Sequence, residues 1–337
     1  MLSYSRSEAR AWARERMQGV ANVVIPSYTA DMRDINEAGI RHDVRLEVEL
    51  GFCGFLLVAE TTLTDEEYLR FVEISADEAK GRQLLIHHAT FNTLEDNIKL
   101  ANEAAARGAE LSLLSYPPSW YPKNAQDIYD YTKAFCDNVD MAVMLFPVPL
   151  WGFERIHPAS LSADLMQRLI DDCPTVVAIK AEGGHPSIGG FTEAWYRFNE
   201  QVVVTMPLEQ QGIPFSTIVP MQFIGTSNTE YFGRAIPQML NLAREGKNDE
   251  AMRLYWQTDP ARQANGRIGA IGGVNTVHRM AWKYQAWLTG FNGGPLRQPT
   301  ARIVGSQMAF LRQALINSGI PCTDDPDEAF FVGRNPA

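Results

Sequence analysis

The sequence predicts a (β/α)8 TIM barrel of the α/β class, with an N-terminal helix and additional C-terminal helices. Three observations predict it. Eight short apolar runs recur between residues 19 and 226, mostly at intervals of roughly 25–35 residues. They lack strict alternation, as parallel strands covered on both faces do. Amphipathic segments separate them, and eight strands alternating with helices close into a barrel. A doubly wound open sheet is the structural rival. It is disfavoured because the first run leads into Pro26-Ser27-Tyr28-Thr29, with neither GxGxxG nor GxxxxGK[ST] behind it.

The opening segment, MLSYSRSEARAWARERMQG, has a charged, helical pattern. It lacks the apolar stretch and small-residue cleavage site of a signal peptide. The candidate strands are Gly19–Pro26, Cys53–Ala59, Gln83–His88, Ala109–Ser115, Met141–Pro147, Thr175–Lys180, Val202–Met206 and Met221–Thr226. Between them, Thr64–Lys80 opens on a capping threonine, carries acids in its first turn and stops at Lys80-Gly81. Thr93–Arg107 repeats that plan, and Asn124–Cys136, Ser160–Asp172, Thr192–Glu200 and Thr229–Gly246 fit it too. From about Asn248 the pattern is helical only. Asp249–Ala264 is a candidate eighth barrel helix, Gly273–Leu288 and Thr300–Ser318 an appendage, and TDDPDEAFFVGRNPA an extended tail. The expected organisation is a barrel over 1–265 and a helical extension over 266–337, without a low-complexity linker between them.

Composition removes several function classes. The chain has 337 residues, 45% hydrophobic and 21% charged, which excludes a disordered chain, a collagen-like fibre and a small disulfide scaffold. A net charge of −10, with no long basic stretch, argues against nucleic acid and against an anionic membrane surface. No apolar run reaches the roughly 18 residues of a membrane span. Cys53, Cys136, Cys173 and Cys322 are widely separated and form no CxxC pair, unlike a structural zinc site or a disulfide framework. The expectation is a cytoplasmic, reduced protein.

Barrel chemistry gathers where the strands end. Those positions include Tyr28, Glu60 to Thr62, His87 and His88, Tyr116, Phe146, Lys180 to Glu182, Glu209, and Thr226 to Asn228. Lys180 stands apart, because among seven lysines it alone ends an apolar strand (TVVAIK). A desolvated lysine keeps more free amine and can attack a ketone to form an imine. Pairing with Glu182 at the barrel rim is the bland reading, and the pattern alone leaves both open. His87 and His88 are adjacent, so one side chain faces inward and the other outward. A metal site would need Glu60, Glu182, His185 or Glu209 as further ligands. No HxH spacing asks for that, and a hydrogen-bonded histidine is the favoured reading. Tyr116, Trp120 and Tyr121 lie in another strand-end loop, as candidate acids or as aromatic packing around Pro117-Pro118.

At this point the sequence resembles the dihydrodipicolinate synthase / N-acetylneuraminate lyase superfamily of class I aldolases, from about Gly19 to Ser318. The resemblance rests on the order of VVIPSYTAD, LEVELGFCGFLLVAE, LTDEEYLRFVEISADEAKGR, HHATFNTLEDNIKLANEAAARGAELSLLSYPP, MLFPVPLW, VVAIKAEGG and GGPLRQPTARI. It implies a barrel with extra C-terminal helices and a homo-oligomer, dimer or tetramer. It also implies a Schiff base between Lys180 and a 2-oxo acid such as pyruvate, with no cofactor and no metal.

Three segments depart from the family pattern. Phe146 stands where a Tyr-Asn-Val-Pro segment supplies a proton-relaying phenol. Ala59-Glu60-Thr61-Thr62 replaces a Gly-Thr-Thr-Gly-Glu loop that grips the substrate carboxylate. Pro118-Ser119-Trp120-Tyr121 replaces a Pro-Tyr-Tyr stretch. Imine chemistry still needs an acid–base group near the lysine. The expected catalytic set is therefore Lys180, Tyr116, Tyr121 and Glu182. Glu60, Thr61, Thr62, His87, Phe146, Trp120, Glu209 and Ser227 are the expected substrate contacts. Trp120, Phe146 and Trp151 make the pocket apolar, which points to a bulky or aromatic partner, as in the superfamily's hydratase-aldolases. The expected activity is aldolase or hydratase-aldolase. A dehydratase using the same imine, a barrel with changed chemistry and a binding-only barrel are the alternatives.

Overall fold

A computed structural model describes residues 2–117, 119–183, 187–272 and 279–337. In order, the helix α1 (Ala9–Arg16) precedes β1 (Gly19–Val24), α2 (Glu37–Leu50), β2 (Gly54–Leu57), α3 (Asp65–Ala79), β3 (Leu84–Ala89) and α4 (Leu94–Ala106). Then come β4 (Leu111–Leu114), α5 (Ala125–Asn138), β5 (Ala142–Leu145), α6 (Ala163–Asp172), β6 (Val176–Lys180), α7 (Ser187–Phe198), β7 (Val203–Thr205) and α8 (Glu209–Ser216). The chain continues with β8 (Phe223–Ile224), α9 (Ala235–Arg244), α10 (Asn248–Gln257), α11 (Asp259–Gly272), α12 (Arg279–Leu288) and α13 (Gly305–Asn317). All strand pairs are parallel, and the order is β7-β6-β5-β4-β3-β2-β1-β8. This is a nearly closed (β/α)8 barrel. At the seam between β7 and β8, the Gly225 amide donates to Thr205 Oγ1 at 3.3 Å.

Each predicted strand lies where an apolar run stands in the sequence. The strands are buried on both faces, so their Val, Leu and Ile side chains fill the interior and the layer beneath the helices. Helix starts follow their caps. Thr64 and Glu67 form a reciprocal capping box at α3, and Thr93 accepts from the Asp96 amide at α4. The helix α1 closes the bottom of the barrel. Its Ala9 and Ala13 are fully buried, and Arg10 Nε donates to the Val176 carbonyl at 3.0 Å.

The structure changes three expectations. The eighth barrel helix is α9, which contacts β1, whereas Asp249–Ala264 is two helices, α10 and α11, broken at Thr258. The division at 265/266 falls inside α11, which is continuous across it. The tail is docked: Phe330 is fully buried against Tyr284 and Trp287 of α12. The helix α8 has no counterpart among the predicted helices, because Gly212 and Pro214 interrupt its pattern.

Candidate active site

Lys180 is the last residue of β6 and pairs in register with Thr205 of β7. Its side chain turns into the mouth of the barrel and is only 7% exposed. Its Nζ lies 3.1 Å from Glu182 Oε1 and 3.7 Å from the ring centroid of Phe146. Burial pulls the ammonium below the ordinary lysine range, and Glu182 works against that shift. The amide of Glu182 donates to the Pro147 carbonyl at 3.1 Å, which fixes the chain as it leaves the strand. Gly183 follows because a β-carbon there would collide with the Ala159 carbonyl.

Around Lys180 is a cavity of about 170 Å³. Val23, Leu56 and Leu113 form its floor, from β1, β2 and β4. Phe146, Leu150 and Trp151 form one side. The Trp151 indole donates to the Phe146 carbonyl at 2.7 Å and meets the Phe146 ring edge-on, centroids 5.6 Å apart. Glu60, His88 and Thr226 to Asn228 complete the rim with Arg279 and Trp282 of α12. Glu60 is ion-paired with Arg279. Desolvation raises the Glu60 carboxyl, but Arg279 together with His88 and Lys180 outweighs it and holds the group below the usual carboxylate range. His88 Nε2 lies 3.1 Å from Ser115 Oγ, and burial pushes its pKa down to about 4, so the ring is neutral at pH 7.

The structure therefore brings together Lys180, Glu182, Glu60, Phe146 and Ser227 of the predicted set. The others lie elsewhere. Tyr116 is fully buried with its hydroxyl 2.7 Å from Thr132 Oγ1 of α5, outside the cavity lining, and burial raises the phenol above its usual range. Trp120 stacks on Tyr116 in that same outer layer, so it is a wall for Tyr116 rather than for the cavity. Tyr121 is 73% exposed beneath the Arg155 guanidinium. His87 faces outward to Tyr68, whose hydroxyl is 2.8 Å from Nδ1, so the inward histidine is His88. Thr61 is buried, with its carbonyl and hydroxyl both facing the Tyr28 hydroxyl, and the Thr62 hydroxyl donates to the Gln298 carbonyl. Glu209 is held by Arg262 of α11 through contacts of 2.8 and 3.0 Å. It lines a neighbouring cavity of about 720 Å³, which shares Leu208, Ser227, Asn228 and Trp282 with the first.

Arg279, Trp282 and His88 are the site residues that sequence reasoning missed or left undecided. Strand parity selects His88: Leu113 and Ser115 point inward, and His88 pairs with Leu113. No sequence signal marks Arg279 or Trp282. Among the described residues, no three His, Cys, Asp or Glu side chains are grouped to hold a metal ion, and His185 lies outside the described residues. A hollow of about 740 Å³ lies at the other end of the barrel, beside Tyr4, Met141 and Pro174. That is the face where barrel strands begin, away from the chemistry end. No described helix is long and apolar enough to cross a membrane.

The chain is similar to known proteins over most of its length. An uncharacterized DapA-like lyase of Pyrobaculum neutrophilum is 22% identical over 314 residues, covering 90% of this chain and 99% of the relative. Dihydrodipicolinate synthase from Aquifex aeolicus superposes with a TM-score of 0.76 at 19% identity, covering 91% of this chain and all (100%) of the other. N-acetylneuraminate lyase from Fusobacterium nucleatum gives 0.72 at 18% identity, covering 91% and 99%. Residues 16–301 match the dihydrodipicolinate synthetase family. With a barrel of that architecture and a lysine buried at its mouth, the chain belongs to the dihydrodipicolinate synthetase family of aldolase-like lyases.

Proposed function

We propose that the protein is a Schiff-base lyase that acts on a 2-oxo acid through Lys180, cleaving or forming a carbon–carbon bond to a bulky or aromatic partner. The observation that carries this reading is the Lys180 amine itself. It is buried at the strand end, lowered toward its free base by burial, and set 3.1 Å from a carboxylate that can carry its proton.

The chemistry runs as follows. The Nζ lone pair attacks the C2 carbonyl, and the carbinolamine loses water to give a protonated imine. When the C3–C4 bond breaks, its electron pair passes into that imine, leaving an enamine. A base takes the C4 hydroxyl proton, so the C4 fragment departs as an aldehyde. Protonation at C3 and hydrolysis then release the 2-oxo acid and restore the amine. Glu182 is the group within hydrogen-bond reach of Nζ, so it is the acid–base residue of this reading. Phe146 has no proton to give. Its ring lies against Nζ and, with Trp151 and Trp282, supplies an aromatic wall that suits a bulky partner better than a sugar acid.

The test is intact-protein mass after incubation with pyruvate, and separately with an aromatic 2-oxo acid, followed by borohydride. The expected result is one reduced adduct that maps to Lys180 and is absent in Lys180→Ala. A folded protein that gains no adduct from either compound overturns the Schiff-base reading.

A further inference from the structure

Arg279 opens α12, about 100 residues beyond Lys180, yet its guanidinium enters the same cavity. There it pairs with Glu60 and approaches Asn228 Oδ1 at 3.4 Å. Among the described residues lining this cavity, Lys180 and Arg279 are the cations and Glu60 and Glu182 the anions. Each cation has one carboxylate partner. The free site is thus charge-balanced. A 2-oxo acid adds a third carboxylate, and a protonated imine adds no further positive charge.

The accommodation has one low-cost route. The side chains of Lys180 and Glu182 are 7% and 13% exposed, so breaking that pair strands a buried charge. Glu60 is 37% exposed while Arg279 is 14% exposed. Glu60 can swing into water and leave the guanidinium facing the cavity. That group presents parallel N–H donors in a fork that matches a carboxylate. The loop after β2 offers no competing hydroxyl, since neither Thr61 nor Thr62 lines the cavity: Thr61 Oγ1 accepts from Tyr28 and the Thr62 hydroxyl donates to Gln298.

We propose that Arg279 binds the carboxylate of the 2-oxo acid, and that Glu60 occupies Arg279 in the free enzyme and is displaced by substrate. The inference rests on the Schiff-base reading and adds to it a specificity residue and a built-in competitor. Selection for an acid over a neutral ketone then comes from a helix outside the (β/α)8 repeat. Glu60 sets how much carboxylate affinity is spent on its own displacement.

The experiment measures the concentration dependence of borohydride trapping at Lys180, with pyruvate and with its neutral methyl ester, in wild type, Arg279→Gln, Arg279→Lys and Glu60→Gln. Removing a charge-assisted contact is expected to raise the half-saturating pyruvate concentration about tenfold to a hundredfold in Arg279→Gln. The methyl ester should shift much less than pyruvate in that variant, since it feels only the loss of the Arg279 charge beside Lys180, and its labelling also reports an intact fold and lysine. Arg279→Lys should fall between, since it keeps the charge and loses the fork. Glu60→Gln should lower the half-saturating concentration of pyruvate more than that of the ester. If Arg279→Gln does not fold, Glu60→Gln and Arg279→Lys carry the same comparison. Equal shifts for acid and ester, no shift for either, or weaker pyruvate labelling in Glu60→Gln overturns the inference alone. Wild type that labels with neither compound overturns the Schiff-base reading, and the inference falls with it.

Discussion

Replacing Glu182 by Gln should move two rates in opposite directions. The ammonium of Lys180 and the carboxylate of Glu182 are 3.1 Å apart and largely closed to solvent. At an effective dielectric of about 20 their attraction is about 5 kcal/mol. Glu60 also attracts the ammonium and Arg279 repels it, so only part of that figure is lost when Gln removes the charge. Losing even about 1 kcal/mol raises the free-amine fraction about fivefold wherever the ammonium dominates. On the acid side, where scarcity of free amine limits attack on the ketone, Glu182→Gln should therefore form imine about fivefold faster than wild type or more. Turnover should fall by about 10²–10⁴ at neutral pH, because Gln cannot exchange a proton. The assay pairs rapid-quench borohydride trapping at acidic pH with steady-state turnover at neutral pH. Parallel losses in both would show that Glu182 is needed to build the imine itself. No change in either would reduce it to a space-filling partner. Both results refute the assignment.

Two more expectations follow from groups that lie outside the cavity or stay neutral within it. Tyr116→Phe should keep turnover within about threefold of wild type and cost about 1 kcal/mol of stability, read as a shift in the urea midpoint, because its hydroxyl serves Thr132. A turnover loss of a hundredfold would restore the phenol to the catalytic set. Stability should also fall with acid. Burial lowers His87 to about 3 and His88 to about 4, so the unfolded chain binds protons that the folded one refuses. Their contribution is whole above the unfolded value of about 6.5 and is lost as pH falls toward about 4, with a limit on the order of 3 kcal/mol for His88. Urea midpoints at pH 7.5 and 4.5 should show the drop, smaller in His87→Phe. An equal drop in that variant refutes the assignment to His87.

The barrel was legible because its signals are local. Buried parallel strands need continuous apolar runs, and each of the eight runs overlaps its strand. Lys180 was legible for the same reason, as a charge at the end of such a run. Facing was harder. A strand reverses its side chains at each residue, so the sequence could say that His87 and His88 face opposite ways but not which faces in. Once Leu113 is known to line the cavity, parity turns Ser115 inward with it and Tyr116 outward to Thr132. Tyr116 was therefore misplaced in phase, not in place, and Trp120 goes with it by stacking on its ring. Glu209 was misplaced for another reason: it begins α8, and Arg262 of α11 draws it into the neighbouring cavity. A sequence read one segment at a time does not show that partner.

The C-terminal helices were the least legible part and bear most on the site. Gly273–Leu288 and Thr300–Ser318 read as an appendage, and no expected site residue was placed on them. In the structure α11 clamps α8 through Arg262 and Glu209, and α12 lays Arg279 and Trp282 on the barrel mouth. The helix α12 is anchored on the barrel side by Lys283, whose Nζ donates to the Pro26 carbonyl at 2.7 Å just past β1. The docked tail covers its other side through Phe330. Arg279 is thus held at the end of a helix fixed on two faces, as a group must be if it is to meet a ligand without paying for its own ordering. The barrel supplies the amine and its carboxylate from one strand end. The remaining charged pair is assembled from Glu60 and Arg279, 219 residues apart, and this separation is why neither spacing nor periodicity could announce it.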